Sequence, residues 1–380
     1  MKRIACCFFA WCLLWGSLAI SQEIDTLWLT LSRQTPETVT VCWLTDAAGS
    51  STVRFGENVR TDATPCTLHQ VEIPMPPRDG AFTYQVETQT ADGVLRSQPH
   101  TLSGLPGDAL RVVFLGNLHG KSLPPTIAAA RPHLLVSCGD NVPCLHEKGL
   151  TKQQAAENLK PFARLVKNNA DLFATTLFLS ALGNHDREIT PRGKRVPGPS
   201  LHYDPEATAF CRFFPLPGKR WCWTVAFPEF SLRLVGLDLN HVSDRGTSLE
   251  TCHGWDSASE QFVWYQKVME NATEQTIVTI QNEAYPTVRK LAGGLWKPLL
   301  QKNDFFVAGF GHYAERTFLD GTTYFNTSTY GRGDRYPYAN NAFFASADNF
   351  LLLVVGKDAS STARLMRLED GLPLESPTNH

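Results

Sequence analysis

The sequence predicts an α/β domain with helix-covered sheets, preceded by a small all-β domain. Three observations predict it. Short alternating strand patterns fill the first quarter of the chain. Continuous apolar runs separated by helical stripes fill most of the rest. Several of those runs end in a glycine followed by polar, ligand-type side chains. A chain of 380 residues also exceeds the roughly 250–300 residues at which one core gives way to two.

The N-terminus reads as a secretory signal, residues 1–21. Lys2 and Arg3 precede the apolar stretch Ile4–Leu18, and Ala19-Ile20-Ser21 supplies a small-x-small cleavage site before Gln22. The apolar stretch is shorter than the ~20 residues a membrane span needs. A secreted or periplasmic location follows, with no membrane span after cleavage. Ten cysteines occur, and Cys6, Cys7 and Cys12 would leave with the signal, so seven remain. Cys42 with Cys66, Cys138 with Cys144, and Cys211 with Cys222 are candidate disulfides in an oxidising compartment, with simple buried thiols the alternative.

Residues 22–107 form the expected all-β domain. Thr38–Trp43, Ser51–Phe55, Gln70–Ile73 and Phe82–Glu87 alternate in the strand manner, and turn residues separate them. About seven short strands are expected, as in a small β-sandwich, with Trp43 as a core anchor. Residues 108–358 form the α/β domain. Its expected strands are Val112–Leu115, Leu134–Val136, Leu177–Leu182, Leu232–Leu237, Ile277–Ile280 and Phe305–Ala308. Leu159, Phe162, Leu165 and Val166 share one helical stripe, and Phe262, Tyr265 and Met269 share another. Residues 359–380 are a polar tail with a peripheral strand. Net charge is −2 and the pI about 6.6, which argues against a nucleic-acid partner.

The strand ends carry the chemistry. Val112–Leu115 runs into Gly116-Asn117-Leu118-His119, Leu134–Cys138 into Gly139-Asp140-Asn141, and Leu177–Leu182 into Gly183-Asn184-His185-Asp186. Phe305–Ala308 runs into Gly309-Phe310-Gly311-His312. In α/β sheets ligands bind outside the carboxyl ends of the strands. One such ending would be an ordinary turn; four in one chain predict a shared site.

With these motifs the sequence resembles the calcineurin-like metallophosphoesterases, most closely the purple acid phosphatase type with a fibronectin-III-like domain in front. Thr38–Trp43, Val53-Arg54-Phe55-Gly56, Leu237-Asp238-Leu239-Asn240, Glu315-Arg316-Thr317 and Tyr324-Phe325-Asn326-Thr327 also fit it. The resemblance implies a metallophosphoesterase-like β-sandwich flanked by helices. It implies two metal ions clamping a phosphate ester for attack by a metal-bound hydroxide. Carried over residue by residue, Asn117 stands where an Asp begins the first motif, His119 is its His, and Asp140 is the bridging carboxylate. Pro143 replaces the family's Tyr. Asn184 is the Asn ligand and His185 the general acid, with Asp186 beside it to hold its proton. Gln281 and Phe310 stand where two further His ligands are expected, while His312 remains. One divalent ion rather than two (Zn, Mn or Fe) is therefore expected, on Asn117, His119, Asp140 and His312, with Asn184 the remnant of the second site.

Two functions follow. The chain is an exported hydrolase of phosphate mono- or diesters, with a phosphate-ester substrate, His185 and Asp186 as catalytic residues and a metal-activated hydroxide. The alternative is a pseudoenzyme that has lost catalysis and acts as a binding or scaffold protein. Loops Arg187–Tyr203 and Val242–Trp255 would set specificity. Arg332-Gly333-Asp334 is treated as a chance tripeptide, and Asn271 and Asn326 head glycosylation-type triplets.

Overall fold

The computed structural model describes residues 23–218, 221–331, 333, 342–375 and 378–379. The signal segment and most of Arg332-Gly333-Asp334 lie outside the described residues. Among the described residues no helix is long and apolar enough to cross a membrane.

The front of the chain supplies six strands, fewer and longer than expected: β1 (Leu27–Thr30), β2 (Thr38–Phe55), β3 (Asn58–Pro74), β4 (Ala81–Thr90), β5 (Gly93–Arg96) and β6 (His100–Ser103). Two expected strands, Thr38–Trp43 and Ser51–Phe55, are one strand carried through an irregularity around Gly49. A Cβ at Gly49 would stand 2.4 Å from the Gln89 carbonyl oxygen. Only glycine lets the bent strand lie so close to β4. Trp43 is fully buried and donates to the Thr88 hydroxyl at 2.8 Å.

The α/β region then builds two facing sheets. β7 (Ala109–Leu115), β8 (Leu134–Ser137) and β9 (Leu177–Ser180) run parallel, and β17 (Asn349–Gly356) and β18 (Ser361–Arg367) extend them antiparallel. The second sheet holds β10 (Trp223–Phe227), β11 (Leu232–Gly236), β12 (Thr276–Gln281) and β13 (Phe305–Ala308). β14 (Ala314–Leu319), β15 (Thr322–Asn326) and β16 (Phe343–Ala345) complete it. Three apolar clusters explain the layering. Val112, Phe114, Val136 and Leu179 meet Val225, Leu234, Val278 and Val307 between the sheets. Val113 and Leu135 face Phe162 and Leu165 of the helix Lys160–Lys167. Val235 and Phe306 face Phe262 and Tyr265 of the helix Glu260–Asn271. Strands buried on both faces read as unbroken apolar runs, which is why these were visible in the sequence.

The front strands join the first sheet. β1 pairs with β2 on one side and, in parallel, with β9 on the other through Leu29 and Leu177. The result is one sheet of 12 strands. Trp28 stacks on Phe213 at 4.1 Å, and the Tyr84 hydroxyl donates to the Ala174 carbonyl at 2.7 Å. In the β2–β3 pairing Cys42 lies opposite Gln70, while Cys66 lies opposite Gly49. The expected Cys42–Cys66 bridge is therefore not formed. The Cys66 thiol instead lies 3.4 Å from His69 Nδ1.

Candidate functional site

The site forms where β7, β8, β9, β12 and β13 end. Its backbone is unusual. Asn117, His119 and Asp140 all take left-handed conformations, with φ of 57°, 48° and 57°. Each costs roughly 1 kcal/mol or more in a non-glycine residue. The cost is offset because the two loops bind each other: Asn117 N donates to Gly139 O at 3.2 Å, His119 N to Asp140 O at 3.0 Å, and Gly120 N to Asn141 O at 2.7 Å. Gly183 lets the β9 loop press against this pair, since a Cβ there would stand 2.2 Å from Asp140 Oδ1.

Four of the expected residues converge. The His119 ring lies 5.0 Å from the His185 ring and 6.2 Å from the His312 ring, centroid to centroid. The Asp140 carboxylate accepts the His185 backbone N–H at 3.1 Å. Three further residues join them that sequence reasoning did not assign. The Tyr330 ring is 5.9 Å from His119 and 6.0 Å from His312. The Lys121 ammonium sits 3.5 Å above the Tyr330 ring. His241 lies 6.3 Å from the Phe310 ring and feels the Asp140 charge. No periodic signal marks them, because they arrive from loops. Asn184 is buried, and the Tyr203 side chain hydrogen-bonds to it.

The electrostatics divide the histidines. Burial pushes His119 down to about 4, with Asp140 opposing and His185, His312 and Lys121 adding to the fall. Burial would lower His185 as well, but Glu188 and Asp140 outweigh it and hold the imidazole up to about 9. Near neutrality His119 is thus uncharged and His185 a cation.

Asp186 is placed differently from expectation. Its carboxylate is fully buried and faces no imidazole. Oδ2 accepts from Asp140 N at 3.1 Å, Gly183 N at 2.9 Å and Asn141 Nδ2 at 2.9 Å. Oδ1 accepts from Asn141 N at 2.8 Å and Val142 N at 3.3 Å. It binds the β8 loop to the β9 loop. Burial, then Asp140, push it up to about 7, against these donors. The partner of His185 is Glu188, three residues on, which a 3-10 turn brings alongside.

The expectation of one divalent ion is overturned. Among the described residues no three His, Cys, Asp or Glu side chains are grouped so as to hold a metal ion. The positions explain why. The Asn117 amide nitrogen donates to Gly309 O and to Ser328 Oγ, both at 2.9 Å, so its NH2 occupies the inward-facing contacts. Its Oδ1 is buried without a partner; an amide oxygen can ligate a dication but brings no negative charge to offset it, as a carboxylate would. The Gln281 amide is taken up by the backbone of Glu283, donating to its carbonyl and accepting from its N–H. Phe310 brings a hydrocarbon ring, and Lys121, whose charge lowers His119 further, is a cation. The donor set does not fit a metal.

The loops around the site are tied from below. Arg187, fully buried, donates to Asp238 Oδ1 at 2.7 Å, to Pro205 O at 3.0 Å and to Thr251 O. His253 Nδ1 lies 2.6 Å from Asp238 Oδ2, and Trp221 stacks on the His253 ring at 3.8 Å. Burial would raise the Asp238 carboxyl, but Arg187 and then His253 hold it below its ordinary value.

No family model and no curated protein matches the chain. Solved structures do. A purple acid phosphatase isolated from yellow lupin (Lupinus luteus) seeds aligns with 94% of this chain and 74% of its own, at 14% identity and a TM-score of 0.68. GAP50, described as the anchor in the inner membrane complex of Plasmodium, aligns with 72% of this chain and 88% of its own, at 12% identity and a TM-score of 0.43. Identities this low speak to fold alone. The α/β architecture with helix-flanked sheets and an all-β front is that of the lupin phosphatase.

Proposed function

We propose that the protein binds rather than hydrolyses: an exported, non-catalytic protein on a metallophosphoesterase-like fold, acting as a binding or scaffold protein. The observation that carries this reading is the Asn117 amide. It is turned to donate to Gly309 O and Ser328 Oγ, the work of a structural residue. A hydrolytic site at this fold position needs a carboxylate there to offset a dication. Gln281 and Phe310 support the same reading, since one is spent on its own turn and the other offers no donor. In this reading His185, a cation held by Glu188, is a ligand contact rather than a general acid, and Asp186 is a fastener of the loops.

The test uses the purified full chain. After dialysis against Mn, Zn or Fe salts, elemental analysis is expected to find far less than one ion per chain. Turnover of an aryl phosphate is expected to equal the buffer rate. Stoichiometric metal, or turnover that disappears in His185→Ala, would overturn the proposal in favour of a phosphate-ester hydrolase.

A further inference from the structure

We infer that the paired loops beside the site are a docking surface for an acidic extended segment of another protein that carries aliphatic side chains among its acids. This rests on the binding reading above and adds the chemistry of the partner.

The stretch 189–203 carries Arg192, Lys194 and Arg195 and no acidic side chain. All residues from Pro191 to Pro199 are exposed. Exposure here does not mean slack. Gly198 N donates to Gly246 O at 3.1 Å, Ser248 N to Val196 O at 2.8 Å, and Leu201 N to Ser248 O at 3.0 Å. Ser200 Oγ donates to Glu250 O at 2.9 Å, and Ser248 Oγ to Lys194 O at 2.8 Å. The two loops singled out in the sequence as specificity loops are therefore zipped into one ribbon.

Ser248 is bonded to Val196 through its N–H and to Leu201 through its carbonyl, so the backbones of these two aliphatic residues lie on either side of it. The two residues are 44% and 43% exposed. Lys152 Nζ donates to Leu201 O at 2.8 Å, which adds a further ammonium to the ribbon. Val196 and Leu201 thus share the ribbon with Arg192, Lys194 and Arg195. Acids answer them in part: Asp244, nearly buried, lies 3.1 Å from Arg195 and 3.9 Å from Arg192, and Glu250 of the second loop accepts from Gly246 N at 2.9 Å. Pro191–Pro199 is thus a cationic stretch, with three basic and no acidic side chains, in a chain whose net charge is −2.

On a docking face, aliphatic contacts supply affinity, and a charged rim supplies orientation and rate. Charge complementarity makes the partner acidic, and the spaced aliphatic residues ask for apolar side chains between its acids. The exposed apolar groups are aliphatic, so there is no platform on which nucleic-acid bases would stack. The ribbon also reaches the site. Arg192 acts on His241, and Tyr203 hydrogen-bonds to Asn184.

The test is fluorescence anisotropy on the full chain with labelled synthetic peptides: alternating Glu-Leu, alternating Glu-Gly and alternating Lys-Leu. Heparin and phosphatidylserine vesicles serve as competitors. The Glu-Leu peptide is expected to bind saturably at micromolar concentration, and the Glu-Gly and Lys-Leu peptides at least about tenfold more weakly. Arg192→Glu with Lys194→Glu is expected to weaken Glu-Leu binding at least about tenfold, as is Val196→Ser with Leu201→Ser, with both variants still folded at the assay temperature. Absence of saturable binding overturns the inference, as does equal binding by Glu-Gly or insensitivity to either double variant. Full competition by heparin or by vesicles at matched charge also overturns it, by making the surface a generic polyanion or lipid patch. Metal uptake or aryl phosphate turnover would instead count against the non-catalytic reading and leave this surface untouched.

Discussion

The carboxylate of Glu188, not that of the adjacent Asp186, faces the imidazole of His185, with Oε2 3.2 Å from Nδ1. The same nitrogen lies 2.7 Å from Pro143 O. Two neighbouring acids thus have separate duties, one electrostatic and one architectural.

The electrostatic duty is testable by titration. His185 is held up to about 9 against an ordinary value near 6.5. A group raised in the folded state adds stability below its unfolded value, and that contribution fades as pH climbs through the folded one. Glu188→Gln is expected to lower the His185 midpoint by at least about one unit, followed by NMR of the ring resonances. The loss of stability between about pH 6.5 and 9 should flatten in the same variant.

The architectural duty belongs to Asp186. Asp186→Asn would turn an amide NH2 toward N–H groups that now donate to a carboxylate. A loss of about 2–4 kcal/mol in denaturant unfolding is expected. A change of less than about 0.5 kcal/mol would show that the loops are joined by other means.

Asn117→Asp tests why an amide stands at the end of β7. The new carboxylate would face the Gly309 carbonyl at hydrogen-bond distance without a proton to share. The Ser328 hydroxyl would turn to donate to it, but burial against the Gly309 carbonyl would still raise its ionisation point, so the variant loses stability as pH rises through that value and recovers it in acid. About 2–4 kcal/mol at pH 8 and markedly less at pH 4 is the expected result in paired unfolding curves.

Asn326 tests how the β13 loop is held. Its side chain accepts from Gly311 N at 3.1 Å and donates to Gly311 O at 3.0 Å and Tyr313 O at 2.7 Å. Asn326→Ala should cost about 2–3 kcal/mol and speed amide exchange across 309–313. The side chain is buried, so in a eukaryotic secretory host peptide mapping should find Asn326 without a glycan.

The core strands were legible because β8, β9 and β13 are covered on both faces, so every residue of Leu134–Ser137, Leu177–Ser180 and Phe305–Ala308 is buried. The site was legible in part, because Asn117, His119, Asp140, His185 and His312 follow glycines at strand ends. The direction of each side chain was not. Whether Asn117 offers its oxygen or its NH2 depends on Gly309 and Ser328, some two hundred residues away. Lys121 and Tyr330 meet only through the fold. The His185–Glu188 spacing was available in the sequence, but a His-Asp neighbour pair drew the reading to the wrong carboxylate. The pairing of β1 with β9 left no trace either, since a parallel contact through Leu29 and Leu177 has no local signature.

That contact has a consequence for anyone dissecting the molecule. With β1 in place, β9 has a neighbour on each side. Cut the front strands away and β9 becomes a raw margin: unpaired amides, a Leu-Phe-Leu surface and Phe213 stripped of Trp28. Such a margin recruits other chains. The rear portion expressed by itself should clump, and its insolubility would be mistaken for a flaw of the site when the fault lies at the severed border.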